Sequence, residues 1–477
     1  MKTMKSLAVI ALVFGLAATA QAQELKTANF LDNYLYGYRL NPSVTPTGTT
    51  GFVGIGTGNI SLNGNTNFGA SNFLFPLDNG KLVTGFNSAV SESQFPGGME
   101  EMNRFNARLS ENILAIGVLG KKGGYGHFEL NLVSEESIGI PRSLFEAFKS
   151  KNTTGHYQVD NINFNTTNYL ELAYGRAKRS KNLAIGWTIK GLIGVAKADA
   201  SVDMEINTAG ESMWLKSQGT LKAAAPILAI GINSDGYYDP SKIGLNPNGI
   251  KPSGLGIAVD IGASYYLLKD KLILGASVRN LGGMKWTTDL YGQNSGNKVV
   301  VDMNNTDKMS KELKEMLQFK PVNGDDASKF ERLPISYNLS AKFKPISLVT
   351  LGVVGTFYNY KGYSTKDIRF GAALTPFRQL NIAGTYAFGE TGNEIGVAAS
   401  VRLLGINLYA GVDAIQYRVT PQYIPVDPVT AMVNAGVAIA FGKSKASASK
   451  DKAKQSKNKK SSKKGGQAEP EPLPVLE

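Results

Sequence analysis

From Gly254 to Gly283 the chain reads GLGIAVDIGASYYLLKDKLILGASVRNLGG, with apolar and small or polar residues changing places at almost every step. Leu255, Ile257, Val259, Ile261, Ala263, Tyr265 and Leu267 fall on one side; Gly256, Ala258, Asp260, Gly262 and Ser264 fall on the other. A period of two marks a β-strand with one greasy face. Lys269-Asp270, lying between two such runs, predicts a hairpin on a tight turn. In that register Asp260 lies opposite Arg279 on the polar side. The greasy side must be covered by a second sheet or by lipid, and the rest of the chain decides which.

The same alternation recurs at about 82–91, 104–120, 124–134, 166–178, 182–197, 254–268, 271–286, 333–344, 347–361, 364–376, 378–389, 393–403, 405–418 and 431–441. Every second connection is tight, at 121–123, 180–181, 269–270, 344–346, 376–378 and 404–405. Most of the others are long, notably 134–165, 197–253, 287–332 and 419–430, with short exceptions near Lys361 and Gly392. An even number of strands, with short turns on one side and long loops on the other, is the pattern of outer-membrane barrels. A soluble sandwich has no cause to sort its loops by parity. The expected fold is therefore all-β, an antiparallel transmembrane β-barrel of about fourteen strands (12 to 16). Short amphipathic helices are expected in the long loops, at 140–150 (IPRSLFEAFKS) and 308–318.

The N-terminus agrees with export. Lys2 and Lys5 precede an apolar run from Leu7 to Ala18 and then Ala20-Gln21-Ala22, which predicts a signal peptide over 1–22 with no lipobox cysteine after it. The chain has no Cys at all, which excludes disulfides, thiolate metal sites and Cys nucleophiles. Of the net charge of +13, residues 443–477 carry +6 and the leader +2, leaving +5 for the body. The basic character thus belongs largely to a Lys-rich tail without aromatic partners, and nucleic acid is not an expected partner. The expected organisation is a signal peptide (1–22), an N-terminal segment (23–81), the barrel (82–442) and a disordered periplasmic tail (443–477). Residues 23–81 read as a hatch or plug, with Asn41-Pro42 at its turn, or as a first strand pair. A periplasmic or cell-wall partner of the tail is a further expectation.

In the hairpin around Ser180-Lys181, the same register arithmetic pairs Tyr174 with Trp187 on the apolar side and Glu171 with Lys190 on the other. An aromatic pair near a short turn suits a membrane-interface girdle. The pairs Glu171–Lys190 and Asp260–Arg279 are then expected at one height on one wall of the lumen. There they fix register and fill space or, on the sharper reading, form a polar constriction on a permeation route. Catalysis finds no support. His127 and His156 lie apart, no nucleophile elbow or metal-binding helix motif occurs, and GIGTGN at 54–59 lacks the strand-to-helix setting of a phosphate loop. The chain is expected to be no enzyme and to need neither metal nor cofactor.

DIGASYYLLKDKLILGASVRNLGGMKW, with an acid-Gly-Ala-Tyr strand, a tight turn and a strand ending Asn-Leu-Gly before a Trp, resembles Bacteroidetes-type outer-membrane barrels related to the FadL-type hydrophobic-compound transporters. With LNPS at 40–43 and IPRSLFEAFKS, the chain is similar to an uncharacterised family of that group. The resemblance implies a fourteen-stranded barrel with an N-terminal hatch, in the bacterial outer membrane. Its implied role is binding or passive uptake of a small hydrophobic molecule. In relatives tied to surface-protein secretion, the implied role is instead a non-transporting scaffold. Outer-membrane lipid is a partner in both cases.

Overall fold

The computed structural model describes residues 24–56, 58–120, 123–149, 154–209, 212–302, 316, 318–324, 328–360, 363–377, 379–389, 392–415 and 430–442. The signal peptide, the tail and almost all of the expected helix at 308–318 lie outside these residues. Fourteen strands close a barrel and are numbered here by their place in it. Strand β1 comes in two pieces, Gly51–Ile55 and Ile60–Thr66. There follow β2 (Met102–Leu119), β3 (Gly124–Pro141), β4 (Gly155–Ser180), β5 (Leu183–Ala209), β6 (Gly254–Leu267) and β7 (Leu272–Thr287). The remainder are β8 (Ile335–Ile346), β9 (Val349–Tyr360), β10 (Tyr363–Phe377), β11 (Leu380–Gly389), β12 (Gly392–Leu403), β13 (Ile406–Ile415) and β14 (Thr430–Phe441). Neighbours pair antiparallel all round, and β14 returns to β1, which in turn pairs with β2.

The faces sort as the alternation requires. In β14, Val433, Val437, Ile439 and Phe441 point outward and are exposed, whereas Asn434 and Ala438 are buried inward. In β6, Leu255, Ile257, Ile261 and Tyr265 stand exposed outside, and Ala258, Asp260 and Ser264 are buried inside. An outward Leu or Ile left in water forfeits roughly 1.5–3 kcal/mol of burial. A continuous belt of them around a closed wall with a polar interior is the arrangement of a membrane barrel. Among the described residues no helix is long and apolar enough to cross a membrane.

One expected strand is corrected. The alternation at 82–91 does not enter the barrel: Leu82–Thr84 pairs only with Leu74–Pro76 in a separate two-stranded sheet. Val90, Phe95 and Met99 then bury with Phe73, Phe75 and Val83 in a small loop core. The fourteenth strand is β1. Its period of two is interrupted, with Ile55 outward before the break and Leu62 outward after it. This change of parity at 56–59 hides it from a pattern of alternation.

On the long-loop side, Ser212–Ala224 pairs with the upper part of β5, Leu290–Asp302 pairs with Ser212–Ala224, and Ser328–Arg332 pairs with β7. The expected loop helix forms as α1 (Arg142–Lys149), with Pro141 as the last residue of β3. Ala147 joins one loop core, while Phe145 packs against the phenylalanine core of 73–99.

Candidate functional site

Residues 24–50 lie inside the barrel as a hatch: Leu25, Phe30, Tyr34, Leu35, Tyr36 and Tyr38 are buried in one cluster with wall residues Tyr125 and Tyr409. A plug of this kind needs wall residues small enough to admit it. An added Cβ at Gly262 would fall 2.1 Å from Asn41 Oδ1, and one at Gly186 would fall 2.0 Å from the Pro42 carbonyl oxygen. The small residues at every second place therefore seat the hatch turn at Asn41-Pro42. Asn41 Nδ2 donates to the carbonyls of Ala263 (3.1 Å) and Ala276 (3.3 Å), and Ser43 Oγ is 2.7 Å from Ser264 Oγ. Substituting Gly262→Val is expected to push this turn from its seat. In limited proteolysis of the folded barrel, the hatch of G262V should be cut at least tenfold faster than wild type; equal rates would remove the seating role.

Two buried ionic anchors hold the hatch to the wall, and a more exposed pair, Asp32 with Lys344 of β8, adds to them. At the first, Arg39 Nε lies 2.9 Å from Glu129 Oε1 of β3, its Nη2 donates to Asn131 Oδ1 (2.6 Å), and Tyr38 O–H donates to the same Glu129 oxygen (2.6 Å). At the second, Asp413 of β13 accepts from the backbone N–H groups of Lys26 (2.8 Å) and Thr27 (3.2 Å) and from the Thr27 hydroxyl. Behind it, Arg369, fully buried, holds Asp413 (3.1 Å) and Glu394, and Lys26 pairs with Asp367.

Beside the first anchor lies the layer that contains the sequence-derived pairs, around a cavity of about 60 Å³ lined by Arg39, Arg108, His127, Glu129, Glu171, Lys190, Asp260 and Arg279 among others. Lys190 Nζ sits between Asp260 (2.9 Å) and Glu171 (3.5 Å). The β4–β5 turn is Lys181-Asn182, so Glu171 stands opposite Leu192 and Lys190 opposite Ala173, two places off the expected register. A shift of two preserves the face, and diagonal neighbours remain within reach of long side chains. The same shift leaves Tyr174 and Trp187 in contact, ring centroids 5.9 Å apart.

The Asp260–Arg279 pair is a correction. Pairing passes from Ile261↔Val278 to Val259↔Leu281, so Arg279 and Asn280 together face Asp260 in a bulge, with Asn280 at φ 61. Asp260 accepts from Asn280 N–H (2.7 Å) and takes Lys190 as its ion-pair partner. Arg279 instead donates to the Arg39 carbonyl of the hatch (2.6 Å) and to Ser336 Oγ (3.0 Å). The bulge turns Arg279 from a wall-to-wall pair into a wall-to-hatch tie. Asp367, Arg369, Glu394 and Asp413 lie on the inward parity of their strands, so alternation could have nominated them as it did Asp260.

Above this layer, Val133, Tyr169, Leu192, Ala258, Met284, Trp286 and Leu333 form an apolar tier. The interior is thus an aromatic hatch, a charged layer and an apolar upper tier. This arrangement can hold water and ions in its middle, but along its axis it presents paired charges to any apolar solute.

Residues 42–413 match a family of unknown function (DUF5723), and the chain belongs to it. No curated protein matches the chain. Among solved structures it is similar to the toluene transporter TbuX of Ralstonia pickettii, at 7% identity over 90% of this chain and 100% of that one (TM-score 0.43). It is similar likewise to the toluene transporter TodX of P. putida, at 10% identity over 87% and 94% (TM-score 0.44). A Pseudomonas aeruginosa FadL homologue aligns at 11% identity over 89% and 100% (TM-score 0.41).

Proposed function

We propose that the chain is a non-enzymatic outer-membrane barrel that binds a small hydrophobic molecule and passes it through its wall. The observation that carries this reading is the break in β1. On the β14 side, pairing jumps from Val53↔Ile439 to Ile60↔Ala435, leaving 436–438 without β1 partners among the described residues. On the β2 side the strands stay tied across the break, with Gly56 N–H donating to the Ile113 carbonyl and Asn112 N–H to the Asn59 carbonyl, both at 2.8 Å, so the opening lies on the β14 side. Directly behind the break stand aromatic rings: the Tyr36 ring lies 5.2 Å from Phe52 and 5.8 Å from Tyr409, and Tyr34 lies 5.0 Å from Tyr409. Driving an apolar solute along the axis would mean opening buried ion pairs, at several kcal/mol each. A lateral route from aromatic rings to lipid avoids that cost.

The test is uptake of radiolabelled oleate and of toluene into proteoliposomes. The full-length barrel should exceed empty liposomes at least tenfold for one of the two probes. Gly58→Val should remove most of that gain, because a Cβ there would fall 2.5 Å from Asn112 Oδ1 and 2.7 Å from the Tyr36 hydroxyl. Uptake that equals the empty control, or that is indifferent to G58V, refutes the route.

A second reading, a scaffold for secretion or assembly of surface proteins, is favoured by one observation. The loop hairpin Leu228–Ile232 with Tyr238–Leu245 and the residues after it expose Leu245 (76%) and Ile250 (77%). That reading predicts no uptake of either probe, together with co-purification of an exported protein that is lost on L245D/I250D.

A further inference from the structure

We infer that the long-loop end of β6 and β7 carries a seat for a phosphorylated, anionic lipid of the outer leaflet. The seat is built by three adjacent strands, β6, β7 and Ser328–Arg332, whose outward residues fall in register. Leu255 pairs with Lys285 and Lys285 with Phe330, while Ile257 pairs with Gly283 and Gly283 with Arg332. Leu255 (61%), Ile257 (62%) and Phe330 (61%) are exposed apolar residues, and Lys285 and Arg332 are exposed cations among them. The alternate residues of the same strands face inward: Met284 and Trp286 are buried, and Glu331 turns to Lys197 at 3.2 Å. The inward acid thus has a cation of its own, and the two outward cations have no ion-pair partner among the described residues.

Gly283 shapes the middle of the patch. An added Cβ would fall 2.5 Å from Phe330 Cζ, so the ring lies over the bare glycine between the two cations. As diagonal neighbours across one strand pair, Lys285 and Arg332 stand roughly 7–8 Å apart at their Cα atoms, close enough for both to reach one phosphate group. The patch also continues the lipid-facing belt, since Ile261 and Leu281 lie below it on the same face. Lys285 is about eleven strand steps above Leu274; at ~3.4 Å per residue and a tilt of ~40°, that is about 29 Å, just past an apolar band ~25 Å tall. Cations at that height meet headgroups, Leu255, Ile257 and Phe330 stand beside them at the boundary, and Ile261 and Leu281 below lie where acyl chains begin. Unpaired cations flanking an apolar face fit a lipid that is anionic at its head. A zwitterionic lipid supplies its own counter-charge and gains less.

This inference rests on the membrane placement proposed above and is independent of uptake. The test is native mass spectrometry of the full-length barrel in detergent with added lipid, the probes being diphosphorylated lipid A, its dephosphorylated form and phosphatidylethanolamine. Wild type should retain the diphosphorylated lipid at least tenfold over the other two. K285A/R332A should lose that preference while keeping the heat-modifiable gel migration of a folded barrel, and F330A should weaken retention of all three lipids. Inorganic phosphate at equal concentration should not compete, because it lacks the acyl chains; full competition would assign the site to free phosphate and overturn the lipid assignment. Equal retention of the three lipids by wild type, or a preference that survives K285A/R332A, also overturns it. The wild-type comparison decides the question even if the variant does not fold.

Discussion

Deleting residues 24–47 should convert a closed barrel into a wide aqueous pore. The hatch occupies the lumen between its two buried anchors, with Arg39 on Glu129 of β3 and with Lys26 and Thr27 on Asp367 and Asp413 of β10 and β13. The wall itself does not depend on it, because the ladder that closes the barrel begins at Gly51 and runs entirely through strands β1–β14. Planar-bilayer recording is expected to show conductance at least tenfold above any wild-type background, and cells carrying the variant should become sensitive to large hydrophilic antibiotics. A native-like control follows from the absence of cysteine. Ser43 Oγ and Ser264 Oγ stand 2.7 Å apart, so S43C/S264C should form a disulfide that ties the hatch turn to β6. Under oxidant, uptake by a lateral route should persist in this stapled barrel, whereas uptake that requires the hatch to leave should stop and recover on reduction. If the deletion variant folds and stays silent, the long loops rather than the hatch close the barrel, and the hatch loses its assigned role.

The wall was legible because a membrane barrel repeats one constraint at every crossing: apolar out, small or polar in, tight turns at one end. Thirteen of its strands follow that constraint without interruption over most of their length, and they are the ones the alternation found. β1 fell within the segment 23–81 read as a hatch or a first strand pair and was not placed in the wall, because its parity changes between Ile55 and Leu62, while 82–91 mimics a strand because a loop core also needs alternate burial. Side-chain faces survived small errors of register: Glu171 and Lys190 meet although their pairing is two places off. Asp260 and Arg279 do not pair, because the bulge at Asn280 cannot be read from alternation. Least legible were the contacts that depend on closure. Thr27 and Asp413 lie 386 positions apart in the chain, and only the docking of the hatch against the far wall brings them together.

Replacing Arg369 should give the largest loss of stability of any single substitution in the wall. Its side chain is fully buried and sits between two carboxylates, Glu394 on β12 and Asp413 on β13, with Thr385 Oγ1 at 2.9 Å. Arg369→Met keeps the volume and removes the charge, leaving two buried carboxylates with each other for company. Breaking a buried pair by deleting one partner costs about 3–5 kcal/mol, and here one cation serves two acids. The loss also reaches the hatch, because Asp413 is the acceptor for the backbone of Lys26 and Thr27. R369M is therefore expected to lower the temperature of the heat-modifiable gel transition sharply and to expose the N-terminus of the hatch to protease. Adding Glu394→Gln should restore much of the stability, since that removes the charge Arg369 neutralised and leaves Asp413 with its hatch donors. A merely steric role for Arg369 predicts the opposite, with the double variant no more stable than R369M alone. A thermal-melt comparison of the wild-type, single and double variants, followed by gel migration, separates the two and shows whether charge pairing or packing holds the hatch to this side of the wall.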